Sequence, residues 1–203
     1  MLELGIYGGT FAPVHNGHIA AAKAFLAQAE LDKLLIMPTL IPPHKQVTYA
    51  DDPQDRLNML KLAFGELPEY NETLFISEYE LNSPPPSYTV YTLRHFHEEG
   101  VRITFLCGTD MFLTLDKWKA PEEIFRLCRI ALMPRESEVS HELEAKLSEK
   151  TEYYKKTFNA DIIRITAPAI EISSSEIRSG SDEYKQRYLP KAVYEYITEH
   201  GLY

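Results

Sequence analysis

The chain has 203 residues, 44% of them hydrophobic and 25% charged, with a formal net charge of −9. A chain of this length buries about 70% of its unfolded surface and needs no disulfide or metal staple, and its acidic balance argues against nucleic acid and anionic membranes as partners without excluding a small phosphorylated substrate. Met1-Leu2-Glu3 lacks the basic start of a signal peptide, no apolar run approaches transmembrane length, and Cys107 and Cys128 sit in apolar runs without metal-ligand or redox spacing, so buried thiols and a cytoplasmic location are expected.

In chain order, Leu4–Tyr7 reads as a first strand and Gly17–Ala29 as the helix after it. Strand Lys33–Met37, helix Pro53–Gly65, strand Leu74–Ser77 and helix Thr89–Glu99 follow. Val101–Cys107 has the β-branched content of a central strand. Helix Pro121–Leu127, strand Ile130–Met133, helix Ser140–Phe158 and strand Asp161–Ile165 continue the alternation, and helices Ser174–Ser179 and Pro190–Glu199 end it. The pattern predicts an α/β, Rossmann-like fold: a mostly parallel sheet with helices on both faces, in one domain spanning 1–203. The acidic run from Glu136 to Glu152 reads as a solvated helix face, Pro84-Pro85-Pro86 as a stiff surface loop, and Val193, Tyr196 and Ile197 as packing residues of a helix that stops at Gly201.

Between the first strand and its helix lies Gly8-Gly9-Thr10-Phe11-Ala12-Pro13-Val14-His15-Asn16-Gly17-His18. A glycine turn that opens onto a helix N-terminus is where α/β proteins hold phosphates. Neither G-x-x-x-x-G-K-[ST] nor G-x-G-x-x-G is present. Instead His15 and His18 flank Gly17 at the positive end of the helix dipole, where imidazole donors could grip ATP phosphates and stabilise a leaving pyrophosphate. No third ligand sits at zinc spacing, so no protein metal site is expected. Near the other end, Ser173-x-x-Glu176 has capping-box spacing and marks a second helix N-terminus. The hydroxyls and N–H groups of Ser174 and Ser175 could hold a phosphate there, with Arg178 adding a fixed positive charge.

Gly9-Thr10-Phe11-x-Pro13-x-His15-x-Gly17-His18 resembles the H-x-G-H signature of the nucleotidyltransferase superfamily, and Ile172-Ser173-Ser174-Ser175-Glu176-Ile177-Arg178 resembles its I-S-S-T-x-[IV]-R element. Pro42-Pro43-His44-Lys45, Ser87-Tyr88-Thr89, Gly108-x-Asp110 and Trp118-Lys119 narrow the likeness to the bacterial nicotinate-nucleotide adenylyltransferases, and it spans nearly the whole chain. The resemblance implies a nucleotidyltransferase fold that joins ATP to nicotinate mononucleotide. It implies ATP contacts from Gly8, Gly9, Thr10, Phe11, His15, Gly17, His18, Gly108, Asp110, Ile172, Ser173, Ser174 and Arg178. Contacts to the mononucleotide are implied for Thr10, His44, Lys45, Ser87, Tyr88, Thr89 and Trp118, and the catalytic charges for His18, His15, Arg178 and Lys45. The residue chemistry agrees. Trp118 could stack on a cationic pyridinium ring, Lys45 could reach a phosphate, Asp110 a ribose hydroxyl, and Thr89 could cap its helix so that the N–H groups there bind a carboxylate. Arg56 reads as structural, and His95 and His97 are given no role.

Three positions depart from the pattern. Ala12 and Tyr91 stand where aspartate is usual, and Ser175 replaces threonine but keeps the hydroxyl. The nucleophile would be a phosphate whose second pKa is about 6, so it is already ionised and needs no enzymic base. Catalysis then reduces to aligning two polyanions and neutralising the leaving pyrophosphate, with Mg2+ arriving on ATP. Another adenylyl transfer of the superfamily, such as that to phosphopantetheine, and a non-catalytic nucleotide sensor remain the alternatives. The oligomeric state is left open, a homo-oligomer included.

Overall fold

The computed structural model describes residues 1–43, 52–134, 140–167 and 172–203. Six strands form one sheet in the order β3-β2-β1-β4-β5-β6: β1 (Leu2–Gly9), β2 (Lys33–Pro38), β3 (Leu74–Ile76), β4 (Val101–Gly108), β5 (Cys128–Met133) and β6 (Ile162–Arg164). Every paired neighbour is parallel. Parallel strands need crossovers, and helices supply them on both faces. One face carries α1 (Asn16–Gln28) and α2 (Pro53–Gly65), joined later by α7 (Ser174–Ser179), α8 (Asp182–Tyr188) and α9 (Lys191–His200). The other carries α3 (Thr89–Phe96), α4 (Thr109–Phe112), α5 (Pro121–Leu127) and α6 (His141–Phe158).

Strand periodicity divides the core. On β4, Ile103, Phe105 and Cys107 face the second layer while Leu106 faces the first; on β5, Ile130 and Leu132 oppose Ala131 and Met133 in the same way. Cys107 and Cys128 are free, buried thiols, and burial pushes both far above the ordinary thiol range. Among the described residues no helix is long and apolar enough to cross a membrane.

Caps explain most helix limits. Asp52 accepts from the Gln54 N–H ahead of Pro53, Ser140 accepts from the Leu143 N–H, and Asn159 and Gly201 close α6 and α9 in the left-handed region, at φ 53° and 64°. The expected extension of α3 to Glu99 does not occur. The helix stops at Phe96, because His97 turns extended and Gly100, at φ 81°, redirects the chain into the pairing of Val101 with Leu2. Two elements carried no readable apolar period: α4 spans four residues, and α8 buries none of its side chains.

One feature of the register positions the site. The pairing of β1 with β2 continues to Gly9 opposite Pro38, and that of β4 with β5 to Gly108 opposite Met133. Between β1 and β4 it ends earlier, at Ile6 opposite Phe105. The two central strands therefore splay at their carboxyl ends, where their crossover helices depart to opposite faces. This is the switch point at which doubly wound sheets bind ligands.

Candidate active site

The turn after β1 is shaped by what its glycines omit. A Cβ on Gly9 would lie 3.0 Å from the Phe11 ring. Phe11 itself holds φ 50°, unfavourable for a bulky residue, and its ring is buried at 1% exposure, so packing sustains the turn. The chain then reaches His15, the N-cap of α1. The Nδ1 atom of His18 accepts the His15 backbone N–H at 3.2 Å, and the two imidazoles stack with centroids 3.7 Å apart. Nδ1 as acceptor assigns the proton of the neutral ring to Nε2, so His18 presents an N–H donor. His15 is buried and His18 half-buried. A side chain on Gly17 would meet His15 Nδ1 at 3.0 Å and Ile172 at 3.1 Å. Glycine between the histidines thus lets the His15 ring fold back and lets the distant Ile172 segment approach.

That segment docks directly on the turn. Ser173 caps α7 in the capping box that its spacing predicts: its hydroxyl accepts the Glu176 N–H, while the Glu176 carboxylate accepts the Ser173 N–H at 2.7 Å. Ser174 Oγ donates to the Pro13 carbonyl at 3.0 Å, and Arg178 donates to the Ala12 carbonyl at 2.6 Å and to Ser175 Oγ at 3.0 Å. Part of the Arg178 fork is therefore spent on joining the two motifs. The Ser174 hydroxyl proton is committed as well, which leaves the Ser175 hydroxyl and the first N–H groups of α7 as donors toward a phosphate. Position 12 meets Arg178 through its carbonyl, which alanine supplies as well as aspartate would. The Ala12 side chain is itself buried.

A cleft opens beside this turn. Its lining includes Gly8, Gly9 and Thr10, then Ser87, Tyr88 and Thr89 across from them, with Trp118 and Lys119 at one side. Phe105, Met111 and Ile124 form an apolar wall. The structure thus brings the glycine turn together with the expected residues of the 87–89 segment and Trp118. His15, His18, Ile172, Ser173, Ser174 and Arg178 cluster on the α1–α7 side of the same turn, outside this lining. Asp110 is exposed in the first turn of α4, just after Gly108 caps that helix, and neither lines the cleft. His44 and Lys45 lie outside the described residues. Thr89 does not cap α3. Tyr88 occupies the N-cap without a side-chain cap bond, since the helix begins at Thr89 itself, as expected, and the Tyr88 N–H donates to the Pro86 carbonyl at 3.0 Å.

Three supports emerge only in three dimensions. Arg56, at 3% exposure, donates to the carbonyls of Thr10 (2.9 Å) and Thr39 (2.7 Å), tying together the loops after β1 and β2. Glu80, at 7% exposure, lines the cleft and accepts from Thr92 Oγ1 at 2.6 Å. Burial pushes its carboxyl above the usual range, against hydrogen bonds to Thr92, Thr39 and Ser87 that favour the ion. Asp116, in the 3-10 turn Leu115–Lys117 before Trp118, receives Lys150 Nζ at 3.0 Å on both oxygens and Tyr154 OH at 3.0 Å. Burial acts to raise the Asp116 carboxyl, but these bonds and the Lys150 charge together hold it below its ordinary value. No local spacing announces Glu80 or the Asp116 cluster, since their partners come from distant segments.

Known proteins resemble this chain. Residues 6–180 match the family described as cytidylyltransferase-like. A protein of Caldicellulosiruptor saccharolyticus named "Probable nicotinate-nucleotide adenylyltransferase" is 35% identical over 205 residues, covering 100% of this chain and 99% of that protein. One of the same name from Clostridium kluyveri is 34% identical over 100% of both chains. Among solved structures, a Plasmodium falciparum nicotinic acid mononucleotide adenylyltransferase complexed with NaAD superposes with a TM-score of 0.74 at 17% identity, covering 100% of this chain and 97% of that one. At that identity the likeness concerns the fold.

Proposed function

The chain belongs to the nicotinate-nucleotide adenylyltransferases of the cytidylyltransferase-like family, and from this premise we infer that it transfers the adenylyl group of ATP to nicotinate mononucleotide, giving deamido-NAD and pyrophosphate in NAD biosynthesis. The observation that carries the reading is the position of one turn, with the cleft on one side of it and the α1 and α7 donors on the other. The Gly8–Thr10 turn, with donors at the start of α1 beyond it, shares a lining with Ser87–Thr89 and Trp118. Such a cleft suits a substrate pair that meets at a phosphate.

The mononucleotide's ionised phosphate oxygen attacks the α-phosphorus of ATP; the new P–O bond forms as the bond to the β-phosphate oxygen breaks, and pyrophosphate carries the electron pair away. No proton need be abstracted, so the protein's work is alignment and charge. His18 Nε2–H, the α1 N-terminus and the donors of α7 are assigned to the triphosphate, with His15 orienting His18 through the stacked ring and the shared cap. Arg178 braces the turn from behind and offers its remaining donors. Trp118 and the 87–89 segment are assigned to the pyridine ring, and Lys45 to a phosphate.

Among the described residues no three His, Cys, Asp or Glu side chains are grouped to hold a metal. The donors gathered at the turn are N–H and O–H groups, suited to phosphate oxygens and not to a cation. Magnesium would arrive with the substrate as MgATP, ligated by phosphates and water. The cytoplasm, where ATP is available, is the proposed location.

Pyrophosphate release, with MgATP and one acceptor at a time, tests the assignment. Turnover with nicotinate mononucleotide and none with phosphopantetheine is expected. The reverse pattern would replace the acceptor, and ATP binding without release on any acceptor would mean a nucleotide sensor.

A further inference from the structure

Resting on the reading of the cleft as the mononucleotide site, we propose that Glu80 is a positioning residue of that site: its buried carboxylate draws the hydroxyls of Thr39, Ser87 and Thr92 together and so fixes the 87–89 segment against the glycine turn. Glu80 comes from the loop between β3 and α3. Its three partners come from three other places: the residue after β2, the approach to α3, and α3 itself. Thr92 Oγ1 donates at 2.6 Å. An ionised carboxylate suits three converging O–H donors, because both of its oxygens only accept.

Thr39 is the joint toward the glycine turn. Its N–H donates to the Gly9 carbonyl at 2.9 Å, its carbonyl accepts from Arg56 at 2.7 Å, and its hydroxyl bonds to Glu80. Arg56 also holds the Thr10 carbonyl at 2.9 Å. Ser87 is the joint on the other side. Its N–H donates to the Ile41 carbonyl at 3.1 Å, and its hydroxyl accepts the Leu40 N–H at 3.3 Å while bonding to Glu80. One chain of hydrogen bonds therefore runs from Gly9 through Thr39 and Glu80 to Ser87, and all four residues line the cleft. Thr92, at 2% exposure, bears on this chain from behind the lining.

The loop that carries Glu80 is anchored to α3 independently. The Tyr79 ring stacks on His95 with centroids 4.0 Å apart and meets Phe96 edge to face at 5.6 Å, and Ser83 Oγ donates to the Tyr79 carbonyl at 2.6 Å. What the carboxylate adds is the spacing across the cleft. The glycine turn keeps its own brace in Arg56, so a loss at Glu80 falls on the mononucleotide side.

Steady-state pyrophosphate release tests this, with KM for nicotinate mononucleotide and for MgATP measured separately in the wild-type chain, Glu80→Gln, Thr92→Val and the double variant. Glutamine keeps the shape of Glu80 but has one acceptor oxygen and no charge; valine keeps the shape of Thr92 and removes its hydroxyl. Glu80→Gln is expected to raise KM for the mononucleotide about tenfold, the scale of one hydrogen bond to a charged group, and to leave KM for MgATP within about twofold. Thr92→Val should raise the same KM by a smaller factor. The double variant should be no worse than Glu80→Gln alone, since both changes act through one carboxylate. If Glu80→Gln does not fold, the split between the two KM values in Thr92→Val decides. Equal rises in both KM values, or a lower Tm with unchanged kinetics, would make the network merely structural and overturn the proposal. A rise in Glu80→Gln with none in Thr92→Val would mean that the carboxylate touches the mononucleotide directly, which overturns it too. A wild type that releases no pyrophosphate with nicotinate mononucleotide defeats the functional reading itself, and this proposal with it; an active wild type with variants that match it overturns this proposal alone.

Discussion

At the scale of single residues, the two histidines separate into different jobs. His15 is the N-cap of α1, buried and stacked on its neighbour, while His18 is half-buried and has its tautomer set by the His15 N–H. On the proposed reading His18 is thus the donor and His15 its support. Removing a donor that acts on charge developing in the transition state costs about 10²–10³ in kcat. His18→Ala is therefore expected to lower kcat by about 10²-fold with KM for the mononucleotide little changed, measured by steady-state pyrophosphate release. An unchanged kcat would exclude His18 from the reaction. Glu80 shows the opposite case, in which one carboxyl is legible only by its burial. The segment Tyr79-Glu80-Leu81 carries no readable motif until Thr92, twelve residues on, is seen to donate into it.

At the scale of elements, the short pieces position the chemistry and the long ones hold the core. Trp118 ends a 3-10 turn of three residues, too short to be stable by itself. Its geometry depends on α6 from outside: the single Tyr154 O–H proton is shared between the Phe112 carbonyl at 2.8 Å and the Asp116 carboxylate at 3.0 Å, and Lys150 pairs with Asp116. Tyr154→Phe keeps the ring packing and removes the hydroxyl. It is expected to cost about 1–3 kcal/mol of stability, because a buried carbonyl loses its donor. It should also raise KM for the mononucleotide while leaving KM for ATP unchanged. Denaturant titration reads the first effect and kinetics the second; a change confined to stability would disconnect the Tyr154 network from Trp118. Because α6 is mostly solvated, the sequence shows it as a charged helix, and this inward-facing pair is lost in its background.

For the whole molecule, the ligand crevice follows from topology. The order β3-β2-β1-β4-β5-β6 puts the chain's first strand beside its fourth, and their early divergence after Ile6 and Phe105 opens a gap that the turn, α3, α4 and α7 surround. A ligand that meets the residues proposed for it, from Gly8 to Arg178, would bind only when the two halves of the sheet are assembled. Free deamido-NAD at 100 times its Kd should then stabilise the folded chain by about 2.7 kcal/mol. A thermal melt with and without the compound checks this, and an unshifted Tm at saturation would remove the crevice as its binding site.

The sequence by itself determined the alternation of strands and helices, the parallel sheet, the phosphate-type turn at Gly8-Gly9 and the capping box at Ser173. These are local patterns: short apolar runs, helix caps and glycines whose steric reasons act within a few residues. The two motifs, separated by most of the chain, could be paired from resemblance, but their hydrogen-bonded contact through Ala12, Pro13, Ser174 and Arg178 is a tertiary fact. The tertiary structure alone decided that Arg56 ties two loops, that Glu80 is a buried cleft acid, that Tyr88 and not Thr89 caps α3, and that Tyr91 holds Lys119. Each of these depends on burial or on a partner from a distant segment. Neither quantity exists until the sheet closes and its helices pack, so no reading of spacing could have contained them.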